Sequence, residues 1–194
     1  MIWFVSDYHF FHQNIFEYEP KRKQFQDSYI EEMIKRYNSV VKPEDTVFFV
    51  GDIFVGFGQY KRKYEFVLSE KFLAKRILDN MNGNKILIYG NHDHKSNGWY
   101  KDVGFQSTNA YFILNVNKKK IGICHYPLCE KYLDTNTSLR EFKKKLGNID
   151  LLIHGHTHSA NPCQECEIPH FNVSVENINF TPISLEEIYK NFLK

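Results

Sequence analysis

The chain opens on an apolar run, Ile2-Trp3-Phe4-Val5, that breaks off at Ser6-Asp7. A short continuous run of this kind, bounded by polar residues, predicts a strand buried on both faces. The pattern returns at Thr46-Val47-Phe48-Phe49-Val50 and at Lys85-Ile86-Leu87-Ile88-Tyr89. Between the first two runs, Ile30, Met33, Ile34, Tyr37, Val40 and Val41 stand at helical spacing behind Ser28-x-x-Glu31. That is a capping-box pattern followed by an apolar stripe, so residues 28–41 are predicted to form an amphipathic helix. Residues 60–81 read as one long helix with a charged outer face, ended by Asn82-Gly83-Asn84. Residues 10–26 are irregular, aromatic and basic; with Pro20 and Lys21-Arg22-Lys23 they read as a loop whose basic triplet is a solvated face.

The second half changes in style. Residues 111–117 and 120–125 are strand-like and meet at Asn117-Lys118-Lys119-Lys120, which predicts a hairpin. A second capping-box pattern at Ser138-x-x-Glu141 opens a helix to Leu146, with Gly147 past its end. Residues 149–153 and 171–175 are further strands, and Ser184-x-x-Glu187 caps a terminal helix carrying Leu185, Ile188, Tyr189 and Phe192. Strands alternate with helices first and pair antiparallel later, which predicts mixed sheets covered by helices. No repeat, low-complexity tract or linker divides the 194 residues, so a single domain over 1–194 is expected.

Composition adds bounds. A hydrophobic content of 42% is enough for a real core, and a formal charge of +2 demands neither a nucleic-acid nor a membrane partner. No run reaches the ~18 apolar residues of a membrane span, and the N-terminus lacks the pattern of a signal peptide. A cytoplasmic protein with reduced thiols is expected. Cys163-x-x-Cys166 has zinc-ligand spacing, but a structural zinc site wants a second ligand pair. Two incidental thiols in a loop is the simpler reading.

The chemistry lies at the strand ends. Asp7 and His9 follow the first run, Gly51-Asp52 the second, and Gly90-Asn91-His92-Asp93 the third. His125 ends the hairpin, and His154-Gly155-His156-Thr157-His158 ends the strand after it. Strand ends on one side of a sheet converge, so these side chains can share one site. The donors are carboxylate, amide oxygen and imidazole, without thiolate. That mixture suits manganese, iron, zinc, cobalt or nickel rather than calcium or magnesium alone, and two divalent ions, manganese first among them, are the expected cofactors. Asp7, His9, Asp52, Asn91, His125, His156 and His158 are too many ligands for one ion and fill two centres with Asp52 as bridge. Two metals ~3.5–4 Å apart clamp a phosphoryl group and generate hydroxide at neutral pH. The expected reaction is in-line attack of that hydroxide on a phosphate ester. His92, beside Asn91, need not ligate; it can stabilise the transition state or protonate the leaving oxygen. His12 and Asn14 read as loop-stabilising, His94 as exposed and His154 as a core histidine. Asp93 reads as orienting a histidine or capping a helix, and Tyr126 as pocket rim.

In order and rough spacing, Asp7-x-His9, Gly51-Asp52, Gly90-Asn91-His92-Asp93, His125 and Gly155-His156-x-His158 resemble the calcineurin-like metallophosphoesterase superfamily, over residues 7–158. Ser6-Asp7-x-His9-Phe10-x-His12-x-Asn14-Ile15 and Phe171-Asn172-Val173-Ser174-Val175 are similar to its small bacterial and phage branch. The resemblance implies a four-layer αββα sandwich, two mixed β-sheets flanked by helices, with a dinuclear site at strand C-terminal ends. It implies that Asp7, His9, Asp52 and His158 hold one metal, that Asp52, Asn91, His125 and His156 hold the other, and that His92 is catalytic. Val55 stands where some members carry an acidic residue or histidine, which speaks against phosphoprotein phosphatase activity. Tyr8 is bulkier than the small hydroxyl residue common at its position. The expected substrate is a small phosphate ester, a phosphodiester or nucleotide-like compound. A nuclease, suggested by lysines 118–120 and 143–145, and a non-catalytic metal-stabilised interaction module are the alternatives.

Overall fold

A computed structural model describes residues 1–64, 68–129, 133, 137–158 and 168–192. The predicted strands form: β1 (Ile2–Val5), β2 (Thr46–Phe49), β3 (Asn84–Ile88), β5 (Tyr111–Val116), β6 (Lys119–Cys124), β7 (Leu151–His154) and β8 (His170–Asn172). Two short strands escape the pattern, β4 (Ser107–Asn109) and β9 (Ile183–Ser184). Three polar residues and a two-residue strand carry no periodicity, so pairing alone reveals them. One sheet has the order β4-β3-β2-β1-β9, parallel except for β9; the other runs β5-β6-β7-β8, with β5-β6 antiparallel and the rest parallel. Both sheets are mixed, as expected.

Alternation along the strands builds the layers. Phe4, Phe48, Val50 and Ile88 of the first sheet face Ile121, Ile123, Leu151 and Ile153 of the second, making the inter-sheet core. Val5, Val47, Phe49 and Leu87 point the other way, onto Met33 and Tyr37 of α2 (Tyr29–Asn38), Leu73, Ala74 and Ile77 of α4 (Glu70–Asp79), and Tyr100 and Val103 of α5 (Asn97–Val103). On the outer face of the second sheet Leu152 meets Leu139, Phe142 and Leu146 of α6 (Thr137–Leu146). The result is helices, sheet, sheet, helix. Each fully buried Phe, Leu or Ile contributes about 1.5–3 kcal/mol.

Several local expectations need correction. The long helix over 60–81 is two: α3 (Phe57–Tyr64) and α4, which Ser69 starts by accepting from the Phe72 N–H at 3.1 Å. A serine cap inside a charged stretch outweighed the continuing helical pattern. Ser28 occupies the N-cap of α2 but its side chain makes no capping bond. The 10–26 loop contains α1 (Ile15–Tyr18) and a 3-10 turn (Pro20–Phe25). Arg22, read as part of a solvated triplet, is fully buried. Ser184 does cap the terminal helix α7 (Leu185–Phe192), accepting from the Glu187 N–H at 3.1 Å. Cys163 and Cys166 lie outside the described residues, as does the side chain of Ser138. Among the described residues no helix is long and apolar enough to cross a membrane.

The two sheets are stitched together where β1 ends. Ser6 donates its N–H to Val173 O at 2.9 Å and accepts from the Val175 N–H at 3.2 Å. The next residues, Asp7 and His9, donate to Gly51 O and Asp52 O, each at 3.0 Å. The ends of β1, β2, β7 and β8 therefore meet at one edge of the sandwich.

Candidate metal centre

Every residue expected at the site comes to that edge. Asp7, His9 and His158 form one cluster of potential ligand atoms, and Asp52, His125 and His156 a second. Asn91 joins the second, its Oδ1 3.1 Å from His125 Nε2. The chain bends sharply to achieve this. Asp7, His9, Asp52, His156 and His158 have φ of 60°, 50°, 55°, 70° and 47°. Left-handed backbone at a non-glycine residue costs of order 1–3 kcal/mol, and such strain gathers where function requires it.

Glycines make room. A Cβ on Gly155 would overlap the Ser6 hydroxyl and the Asp7 carboxylate; one on Gly51 would overlap His125 Nδ1. Gly155 does not take a positive φ; what it supplies is space.

Hydrogen bonds leave specific atoms free. Asp7 Oδ2 accepts from the hydroxyls of Ser6 (2.6 Å) and Ser174 (3.0 Å) and from the His156 N–H (3.0 Å). Asp7 Oδ1 is buried with no hydrogen-bond partner among the described residues, as are both ring nitrogens of His9. His125 donates its Nδ1–H to Val50 O at 2.8 Å, so Nε2 is the nitrogen turned to Asp52. His158 sets Nδ1 3.3 Å from Glu176 Oε1 and turns Nε2 toward Asp7.

The separations test whether a metal fits. His9 Nε2 lies 3.6 Å from Asp7 Oδ1 and 3.7 Å from Asp52 Oδ2. His158 Nε2 is 3.7 Å from Asp7 Oδ1, and His125 Nε2 is 3.4 Å from Asp52 Oδ2. The three at 3.6–3.7 Å are too long for hydrogen bonds. All four lie at or near the spacing of about 3.0–3.4 Å that ligand atoms adopt around an ion bound at ~2.1 Å. Donors at ligand spacing fit divalent ions in both clusters, and in the first Asp7 Oδ1 and the His9 ring nitrogens are also buried without a hydrogen-bond partner among the described residues.

Electrostatics agree. Burial pushes the Asp7 carboxyl up, but His9, His125 and His158 outweigh it and hold it well below the ordinary range. Asp52 is likewise lowered, because His125 outweighs its burial. Burial would lower His125, yet the Asp52 carboxylate lifts it to about 9. His156 is pushed down to about 4 by burial, which leaves it a neutral donor. Two buried carboxylates thus create a field that attracts positive charge.

His92 stands apart, exposed at the rim. Its N–H donates to Asp52 Oδ1 at 2.8 Å, while its Nε2 is 3.9 Å from Asp52 Oδ2, beyond hydrogen-bond reach. Val55 gives it no polar support. Among the described residues Asp93 bonds no histidine, and it is Ser96 that caps the helix after it. Asp93 is buried and accepts from the N–H groups of Asp52 and Gly90, each at 2.8 Å, tying the ends of β2 and β3 together. His154 is a core histidine, fully buried, with Nδ1 2.8 Å from Gly155 O. His12 Nδ1 is buried and its ring lies 5.7 Å from that of His9, while its N–H donates to His9 O at 3.0 Å. Tyr126 packs on both His125 and His156, at ring separations of 5.0 and 4.6 Å. Tyr8 is wholly buried and stacks on Phe10 at 4.8 Å.

Sequence reasoning missed Glu176 and Arg22. Glu176 follows the 171–175 run just as Asp7 follows β1, and its place at a strand end was a usable signal. Arg22 gave none, sitting between two lysines. A cavity of about 520 Å³ opens beside His9, lined by Phe11, His12, Asn14, Phe16, Glu17 and Tyr29 among others. A second, of about 330 Å³, holds His92 with Val55, Phe57, Lys95 and Trp99.

Comparison with known proteins agrees with this geometry. An uncharacterized protein of Methanocaldococcus jannaschii, MJ1445, is 29% identical over 97% of this chain and 89% of its own length. The crystal structure of AQ665, a protein of unknown function from Aquifex aeolicus, superposes with a TM-score of 0.76 at 34% identity, covering 98% of each chain. The model of the calcineurin-like phosphoesterase family matches residues 1–160. The chain belongs to the calcineurin-like phosphoesterase family.

Proposed function

We propose that this chain is a dinuclear metal-dependent phosphoesterase acting on a small phosphodiester or nucleotide-like phosphate. The carrying observation is the position of Asp52 Oδ2, which stands 3.7 Å from His9 Nε2 and 3.4 Å from His125 Nε2. One oxygen thereby adjoins both clusters. Asp7, His9, Asp52 and His158 would hold the first ion, and Asp52, Asn91, His125 and His156 the second. The nitrogen and oxygen donors suit manganese, iron, zinc, cobalt or nickel, and manganese is the ion we put first. When bound, such a pair clamps phosphoryl oxygens and lowers the pKa of water at neutral pH.

The chain's own residues do the rest. His92, anchored through its backbone to Asp52, presents its ring at the solvent-facing side of the clusters. There it holds a proton for the leaving oxygen or stabilises developing negative charge. Cavities of about 520 and 330 Å³ beside His9 and His92 match the size of small-molecule sites. Aromatic side chains line both and suit an organic group on the ester. One domain over 1–194 is consistent with β9, beyond the family match, pairing with β1.

The lysine runs do not favour a nuclease. Lys119 pairs with Asp150 at 2.7 Å, Lys120 bonds Leu146 O, and Lys145 lies 3.1 Å from the Tyr111 hydroxyl. These groups brace the hairpin and α6.

The test is a panel of aryl phosphate mono- and diesters, cyclic nucleotides, dinucleoside polyphosphates and oligonucleotides with Mn²⁺-loaded protein. Turnover of small diesters with two metals per chain is expected. No turnover of any substrate, with fewer than two metals by elemental analysis, contradicts the proposal.

A further inference from the structure

Beneath the candidate centre lies a buried cation with no role in the chemistry above. Arg22 enters from the 3-10 turn and is fully enclosed, as is the Glu176 side chain that it pairs with. The guanidinium is saturated. Its Nε and one terminal nitrogen meet Glu176 Oε1. The same terminal nitrogen donates to Asp7 O at 2.6 Å. The other donates to Tyr8 O at 2.8 Å and to the Tyr29 hydroxyl at 2.7 Å, and Tyr29 itself donates to Tyr8 O at 2.8 Å.

We propose that Arg22 and Glu176 are positioning residues for the first metal: Arg22 fixes the backbone of Asp7 and, through Glu176, the ring of His158. The two contacts converge on one cluster. Asp7 holds a left-handed φ of 60°, and Arg22 binds the carbonyl of that same residue. Glu176 Oε1 faces His158 Nδ1 at 3.3 Å, so Nε2 is the nitrogen turned to Asp7 Oδ1, 3.7 Å away. Among the described residues, the hydrogen-bonding contacts of Arg22 and Glu176 go to each other and to Asp7, Tyr8, Tyr29 and His158, and not to Asn91 or His125 of the second cluster. Carboxylates that orient ligating histidines typically carry 10–100-fold in metal affinity.

The inference rests on the ligand assignment proposed above, and its test separates the two. Crystals of the native chain and of its variants are equilibrated at one sub-saturating Mn²⁺ concentration, and the occupancy of each position is refined from manganese anomalous scattering. Two peaks in the native chain, one per cluster, establish the assignment; their absence overturns it whatever the variants do. The informative variant is Arg22→Met with Glu176→Met, because replacing a buried ion pair by apolar residues of similar volume commonly preserves folding. The expected result is native-like thermal stability, first-site affinity weakened about 10–100-fold and second-site affinity within about threefold. A folded double variant with native affinity at both positions, or with equal loss at both, overturns the proposal. Should the double variant not fold, Glu176→Gln decides. Its amide keeps the shape but loses the charge that holds Arg22, so selective weakening of the first site supports the proposal and unchanged occupancy overturns it.

Discussion

Gly90 and Asp52 meet at the ends of neighbouring strands with no room between them: a Cβ on Gly90 would sit inside the Asp52 carboxylate and 2.7 Å from the Asp52 nitrogen. The shared carboxylate owes its place to a missing side chain on the next strand. Gly90→Ala is therefore expected to destabilise the protein by about 1–3 kcal/mol, as overpacking does, and to lower Mn²⁺ content at both positions together. Thermal unfolding and elemental analysis check this; an unchanged metal content would show that Asp52 has freedom to move.

His92 is held by its backbone and not by a side-chain partner. Its removal should leave the clusters intact. His92→Ala is expected to reduce kcat about 10²–10⁴-fold, the usual contribution of a general acid, with two-metal occupancy and melting temperature unchanged. Steady-state kinetics on the best diester from the panel, with metal analysis on the same sample, tests it. A fall in activity that simply tracks metal loss would count against a catalytic role.

How much of this was legible in the residues can be seen from three cases. Asp7, Asp52, Asn91 and His125 were readable because each follows an apolar run that can only be a buried strand, and parallel strands deliver their ends to one place. Arg22 was not. Its burial depends on Glu176, 154 residues later, and no local pattern reports a partner that distant. The break between α3 and α4 was hidden for another reason: the helical pattern runs on through Ser69, whose capping bond decides the matter. Periodicity sees one element at a time, whereas caps and buried ion pairs are settled by competition between elements.

The hairpin turn offers a stability test. Asn117 and Lys118 both take left-handed φ, 50° and 63°, between paired Val116 and Lys119. This is the two-residue loop that favours Asn-Gly. Lys118→Gly should remove strain of a β-carbon in that region and stabilise the fold by about 0.5–1 kcal/mol. The melting temperature should then rise by about 1–4 °C. A lower melting temperature would mean that Lys118 makes contacts worth more than the strain.

Asp45 predicts a pH dependence. The Met1 ammonium, then the Lys42 N–H and the Trp3 indole, bring its carboxyl down to about 2, against the burial that would raise it. A carboxyl lowered in the folded state adds stability that is fully present above its ordinary value near 4 and is lost as pH falls through about 2. Asp45→Asn should therefore flatten the stability profile between about pH 4 and pH 2, measured by denaturant unfolding at each pH. A profile as steep as that of the native chain would place the acid sensitivity elsewhere.

The central claim is that two clusters sharing Asp52 hold two ions, and that His156 and His158 serve different ones. The most direct measurement is manganese anomalous diffraction on the native chain, His156→Ala and His158→Ala. Two peaks are predicted in the native chain. His156→Ala should lose mainly the peak beside Asn91 and His125, and His158→Ala mainly the peak beside Asp7 and His9. A single native peak, or equal loss of both peaks in the two variants, would contradict the account.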